Sequence, residues 1–221
     1  MLSRLLKKAP LSLLILTSNG FGREGIKFVT NLLKSNSTLE ELQITTNPIE
    51  SKADARNLLC ALNEHPTIAR QAMLHINNCR IEQTKGMIKL LVPGLLQLKR
   101  VDLASNNISS DGAKLIIDCL ACNPAIEHLV LGDDLLSDGD AKGLSESLKT
   151  NTNLRLLRLS GNFITQEGFK PLLQVVSNWI SLNLMSESNH TCQIDDNAYN
   201  IREVNKLTNP EANRKVKLFA A

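Results

Sequence analysis

Apolar and polar positions follow one pattern six times along this chain. Segments beginning at Leu11 ("LSLLILTSNGF"), Leu39 ("LEELQITTNPI"), Leu98 ("LKRVDLASNNI"), Ile126 ("IEHLVLGDDLL") and Leu154 ("LRLLRLSGNFI") all read apolar-x-x-apolar-x-apolar-x-x-Asn/Asp-x-apolar. A further copy, "QAMLHINNCRI" from Gln71, has a polar first residue, and Ile68 serves as its anchor instead. The anchors Leu11, Leu39, Ile68, Leu98, Ile126 and Leu154 are 28 to 30 residues apart. A fixed period of this length is the mark of a repeat architecture.

Each unit predicts one strand and one helix. Alternating apolar residues in "LxxLxL" form one face of a short strand. The second halves, "GIKFVTNLLKSN" from Gly25, "GAKLIIDCLACN" from Gly112 and "GFKPLLQVVSN" from Gly168, space their apolar residues by three and four, which makes one stripe of a helix. Neither face can be buried within a single unit, so successive units must stack around a shared core. A strand–helix–strand return in one direction gives a parallel sheet connected right-handedly.

This pattern resembles the leucine-rich repeat, in the ribonuclease-inhibitor-like form also seen in Ran GTPase-activating proteins and NOD-like receptors. The resemblance implies an α/β solenoid, a horseshoe with parallel strands on the concave face and helices on the convex face. At the turn after each strand stand Asn19, Asn47, Cys79, Asn106, Asp134 and Asn162. An amide there can donate and accept at once, satisfying backbone groups as the chain leaves the sheet. In the family these residues form a structural ladder, with Cys a common substitute for Asn. Asp134 lacks the donor and predicts a less regular turn.

Both ends depart from the pattern. Leu5 falls where the last apolar residue of a repeat helix would stand, so residues 1–10 read as the end of a preceding repeat helix or a short cap, and the chain as an excised fragment or one with an unusually short start. Residues 11–184 hold about six repeats and a partial seventh. Residues 185–221 read as a polar loop and a basic helical cap, with Asn209 as N-cap, Pro210 at the first helical position and Glu211 in the first turn.

Composition removes several function classes. "LSLLIL" behind a basic start has the look of a signal peptide, but Leu11, Leu14, Leu16, Asn19, Phe21 and Gly25 are in register with the later copies, which predicts a folded strand. No apolar run approaches the roughly 20 residues of a membrane-spanning helix, and no membrane insertion is expected. Aromatic residues make up only 3% of the chain, so the core must be aliphatic. The net charge of +3 resides in residues 201–221, where five Lys and Arg face two Glu. A basic face with stacking aromatics is missing, so no nucleic acid is expected. Five cysteines at irregular spacing do not make a disulfide framework, and predict reduced, mostly buried thiols in an intracellular, cytoplasmic protein. The sequons at Asn36, Asn107 and Asn189 are incidental to an Asn-rich repeat.

Catalytic chemistry has no support. The four histidines, His65, His75, His128 and His190, accompany no hydrolase, nucleotide-binding or metalloprotease fingerprint. His65 falls at a helix-end structural position, and His75 and His128 stand on the third and fifth strands, about 10 Å apart and too far to share a metal ion. "CLAC", Cys119 to Cys122, lies late in a helix, where packing is the better reading. No enzyme activity, catalytic residue, metal, cofactor or small-molecule substrate is therefore expected.

The outward side of the strands remains. Its candidate partner contacts are Leu13, Ile15, Glu41, Gln43, Met73, His75, Arg100, Asp102, His128, Arg155 and Arg158. Lys99, Glu127 and Arg155 should form a row of alternating charge, worth under about 1 kcal/mol per exposed pair. Six such strands offer a face on the order of 250–400 Å², short of the roughly 800 Å² a standard interface takes from each side. Turns, tail or further repeats would have to contribute. The expected function is a protein-interaction or scaffolding module, part of a larger protein or assembly, whose partner is another protein. Two other readings are a small-GTPase regulator of the Ran GTPase-activating type and the sensor part of an NOD-like receptor. The first fits less well, because that family's tail is acidic and its functional residues find no matching positions here.

Overall fold

Three-residue strands alternate with helices, as the period requires. The structure is a computed structural model, and it describes residues 10–20, 22–70, 73–83, 86–176 and 192–195. The strands are β1 (Leu13–Ile15), β2 (Glu41–Gln43), β3 (Met73–His75), β4 (Arg100–Asp102), β5 (His128–Val130), β6 (Leu156–Arg158) and β7 (Gln193–Asp195). Between them lie α1 (Arg23–Ser35), α2 (Lys52–Glu64), α3 (Met87–Leu95), α4 (Ser110–Ala121), α5 (Asp138–Leu148) and α6 (Gln166–Val176). All seven strands join one sheet in chain order, each pairing parallel with the next. This is the leucine-rich-repeat solenoid the period predicts, with an aliphatic core between sheet and helices.

The middle residue of each strand points into that core. Leu42, Leu74, Val101, Leu129 and Leu157 are wholly buried, and each burial contributes about 1.5–3 kcal/mol. The anchors Leu39, Leu98, Ile126 and Leu154 form a second buried column, and α1 presents Ile26, Val29, Leu32 and Leu33 from the other side. Polar residues at helix starts tie neighbouring repeats together. Arg23 Nε donates to Asp54 at 2.9 Å, Ser110 Oγ to Asp140 at 2.8 Å, and the Thr165 amide to Asp138 at 2.7 Å. His65 is buried and accepts from the Ile68 amide through Nδ1, as Asn151 accepts from the Leu154 amide, which gives His65 the helix-end role its position suggested.

The turn after the strands carries two aligned devices. Ser18, Thr46, Asn78, Ser105, Asp133 and Gly161 all adopt positive φ, between 53° and 74°. At Gly161 a Cβ would run into the Asp133 side chain and backbone, so that repeat uses glycine. One residue further on stands the ladder. Asn106 Nδ2 donates to the carbonyls of Leu103 at 2.6 Å and Ile76 at 3.0 Å, while its Oδ1 accepts from the amides of Cys79 and Ile81. Asn47 and Asn162 donate to Leu16 and Leu131 in the same way, each at 2.6 Å. Cys79 offers its thiol to the Ile44 carbonyl at 3.3 Å, and burial pushes that thiol up to about 11. Asn19, at the open end, is exposed and reaches only the carbonyl of Thr17.

Asp134 corrects the expectation of an irregular turn. Its Oδ1 accepts from the amides of Asn106 at 2.9 Å and Ile108 at 3.0 Å, the same two bonds that the Asn106 oxygen makes one repeat earlier. Asp133 keeps the positive φ of the row. What is missing is the donor half: Asp134 Oδ2 is buried without a partner. Burial raises its carboxyl to about 7, which favours the protonated acid.

Leu42 pairs with Leu74, 32 residues on (74 − 42 = 32), as the copy from Gln71 implies, so the second repeat, from β2 to β3, is longer than the period; Ile68 is wholly buried and serves as the anchor, and Thr67 Oγ1 reaches back to the Leu39 carbonyl. Two further findings depart from the sequence reading. β7 lies inside 185–221, the stretch read as polar loop and cap, because Cys192 and Ile194, both buried, are two apolar positions and too few to show a repeat. The cysteines are not mostly buried: Cys79 and Cys192 are, Cys119 is half-buried against the core, and Cys60 and Cys122 are exposed on the solvent side of their helices. The expected helix end at Leu5 and the cap around Asn209 lie outside the described residues.

Candidate interaction surface

Strand alternation puts the flanking residues of each three-residue strand on the sheet face opposite the helices. Parallel pairing in register lines them up in rows. One row runs Leu13, Glu41, Met73, Arg100, His128, Leu156 and Gln193, and the next runs Ile15, Gln43, His75, Asp102, Val130, Arg158 and Asp195. Just before the strands the Glu127 amide donates to the Lys99 carbonyl, and the Arg155 amide to that of Glu127. This places Lys99, Glu127 and Arg155 side by side. Ten of the eleven candidate contacts stand in the two rows, and Arg155 lies just before β6 beside Glu127.

The structure brings them together as two clusters. On β2–β4, His75 Nδ1 is 3.1 Å from Asp102 Oδ2 and Nε2 is 3.5 Å from Glu41 Oε1, while Gln43 Nε2 donates to that Glu41 oxygen at 2.6 Å. A single imidazole between two carboxylates on neighbouring strands is a self-satisfied bridge, with Met73 half-buried in the next row. On β4–β6, His128 sits between Arg100 on one strand and Arg155 and Arg158 on the other. Partial burial, and then the three guanidinium groups, hold its imidazole below the ordinary histidine range. Lys99 Nζ is 2.7 Å from Glu127 Oε1 and Arg155 Nε 3.9 Å from Glu127 Oε2. The Lys99 hydrogen bond chiefly holds the Glu127 carboxyl below the usual carboxylate range. Arg158 Nε reaches Asp195 Oδ2 on β7 at 2.9 Å.

Four large apolar side chains are exposed among the described residues. Leu13 (44%) and Ile15 (53%) stand at the β1 edge of the face. Leu135 (44%) and Phe163 (69%) stand on the turns that follow β5 and β6. They occupy equivalent places in successive repeats, directly after Asp134 and Asn162, and the Phe163 amide donates to the Leu136 carbonyl at 2.9 Å. Phe163 is not among the candidate contacts that strand alternation names. Its signal was available: the residue after the ladder is Gly20, Pro48, Arg80 or Asn107 in four repeats and a large apolar residue in two.

Among the described residues no group of three or more His, Cys, Asp or Glu is placed to hold a metal ion, and no helix is long and apolar enough to cross a membrane. The family model "Leucine Rich repeat" matches residues 97–116 and 150–173, the segments that carry β4, β6 and parts of their repeats. The chain is a leucine-rich-repeat protein. Its strand-plus-helix repeats of about 28 residues are of the ribonuclease-inhibitor-like type. Among curated leucine-rich-repeat relatives, "NACHT, LRR and PYD domains-containing protein 5" of Mus musculus is 28% identical over 177 residues, 79% of this chain and 15% of that protein. "Leucine-rich repeat-containing protein 45" of Gallus gallus is 32% identical over 89 residues, 39% of this chain and 13% of that one. The repeats therefore span about a seventh of the curated relatives' length. The solved structure of "Leiomodin-1 Actin-Binding Site 2 (ABS2)" is similar with a TM-score of 0.41 at 15% identity, over 88% of this chain and 92% of that one.

Proposed function

We propose that these repeats form a non-enzymatic protein-interaction module, intracellular, whose docking surface is the outward face of the sheet. One observation carries the reading. Leu13 and Ile15 leave two aliphatic side chains exposed side by side on a strand whose only inward-facing residue, Leu14, already packs on the core. Burying them on a partner yields hydrophobic free energy that folding does not use. The β2–β6 part of the face supplies polar contacts from Glu41, Gln43, Met73, His75, Arg100, Asp102, His128, Arg155 and Arg158, and the Leu135 and Phe163 edge adds area that the strands alone lack. Free thiols throughout support the intracellular placement.

The test is Leu13→Asp with Ile15→Asp, compared with the parent chain in affinity capture from native extract. Partners held by the parent and lost by the variant, with the circular dichroism spectrum unchanged, are the expected result. An identical partner profile would return Leu13 and Ile15 to incidental exposure.

A second reading is favoured by the relatives, whose names join leucine-rich repeats to NACHT and PYD domains. In that reading residues 11–184, extended through β7, are the repeat portion of a larger multidomain protein. The coding sequence around this segment decides it, and flanking sequence with no further domain would remove the reading.

A further inference from the structure

The outward face is not chemically uniform. The strands β1–β3 and the residues just before them carry Glu40 and Glu41 and no Lys or Arg, whereas the β4–β6 side carries Lys99, Arg100, Arg155 and Arg158 against Asp102 and Glu127. Internal pairing occupies part of this second group: Arg158 Nε meets Asp195 Oδ2 at 2.9 Å. Asp102 faces His75, and Glu127 faces Lys99 at 2.7 Å with Arg155 only at 3.9 Å. Arg100 is exposed and enters none of the ion pairs among the described residues. Partial burial and then these cations favour the neutral form of His128, which can still donate and accept. At the far end of the same strands the turns expose Leu135 and Phe163.

We infer that the β4–β6 end of the sheet face, together with the Leu135–Phe163 edge, docks an acidic polypeptide segment that carries an apolar anchor. This rests on the interaction reading above and names the chemistry of the partner. Arginine is the residue suited to bidentate capture of carboxylates. Arg100 stands two strands from Leu156, the residue after Arg155, so the backbones of Arg100 and Arg155 are about 10 Å apart, within the span of one short acidic segment. Aromatic and arginine side chains are the types enriched in binding hot spots, and Phe163 is exposed on the turn that follows β6. The chain's own residues 201–221 do not supply the occupant, since they carry five Lys and Arg against two Glu.

The probe is a fluorescein-labelled peptide of Asp and Glu around a central Leu-Phe pair, titrated into the whole chain and read by fluorescence anisotropy. Saturable binding is expected, weakened about tenfold or more by Arg100→Ser with Arg155→Ser and by Phe163→Ser separately. Lys89→Ser with Lys114→Ser removes the same charge from the helices and is expected to leave the affinity unchanged. An equal loss in that control, or equal binding of the same peptide with Asn and Gln in place of its acids, overturns the proposal. Tighter binding of an oligothymidylate of matched charge overturns it in favour of a nucleic-acid surface. If the peptide fails while Leu13→Asp with Ile15→Asp still abolishes partner capture, the acidic ligand is wrong and the interaction module stands.

Discussion

The first three repeats and the next three share a backbone but differ in what they do with it. In β4–β6 the turn ladder is continuous: Asn106, Asp134 and Asn162 each accept from a neighbouring repeat, and Asn106 and Asn162 donate as well. In β1–β3 it is broken. Asn19 is exposed, Asn47 Oδ1 is buried without a partner among the described residues, and a cysteine stands at position 79. The outward faces differ just as much, aliphatic and acidic at one end and basic at the other. Inward positions are held to Leu, Ile and Val by the core, while turn and outward positions are free to vary, so the repeat can change its surface without changing its fold.

The largest expected effect separates the two ladders. Asn106→Ala leaves buried amides of Cys79 and Ile81 and carbonyls of Ile76 and Leu103 without partners, at about 1–3 kcal/mol each, so chemical unfolding should show a loss of at least about 3 kcal/mol. Asn19→Ala, at the equivalent place in the open end, is expected to stay within roughly 0.5 kcal/mol of the parent. Equal losses would mean that the ladder is continuous after all.

Asp134 gives the next effect, and its sign depends on pH. Its folded value of about 7 lies above the 3.8 of an unperturbed aspartate, so the fold favours the protonated acid. That contribution is fully present below about pH 3.8 and is lost as pH rises towards 7. Asp134→Asn keeps a donor at every pH. It should exceed the parent in stability by on the order of 2–4 kcal/mol at pH 8 and match it at acid pH, by urea denaturation across that range. A constant difference at all pH values would contradict the protonated ladder.

Smaller effects sharpen the comparison further. Thr46 holds φ of 60° where the sixth repeat uses Gly161, and a β-branched residue is strained there. Thr46→Gly is expected to gain about 0.5–1 kcal/mol, while Gly161→Ala loses about 1–3 kcal/mol because its Cβ meets Asp133. Lys99→Met removes the partner of Glu127 and should change stability by less than about 1 kcal/mol, since both side chains remain partly in water.

The repeat was legible because inward residues answer to one requirement, burial, and burial enforces a period. Leu42, Leu74, Leu129 and Leu157 were therefore placed correctly from spacing alone. β7 was hidden because a three-residue strand with one buried side chain of its own, Ile194, leaves almost no pattern. The regular turn at Asp134 was hidden because it needs only the acceptor oxygen that aspartate shares with asparagine, not the donor that aspartate lacks. Outward residues could be placed by alternation. Which of them pair, as His75 does with Asp102 and Glu41, depends on side-chain placement that spacing does not show. Phe163 was overlooked because its exposure depends on the turn it occupies.

The central claim is that inward residues make the fold and outward residues make the contact. One variant, Leu13→Asp with Arg100→Glu and Phe163→Ser, alters both ends of the outward surface and no residue of the buried core. Its thermal unfolding and its partner binding, measured on the same preparation, test that separation directly. The expected result is a midpoint within a few degrees of the parent together with loss of the captured partner and of acidic-peptide binding. A midpoint lowered as far as by Asn106→Ala, or binding retained in full, would contradict it.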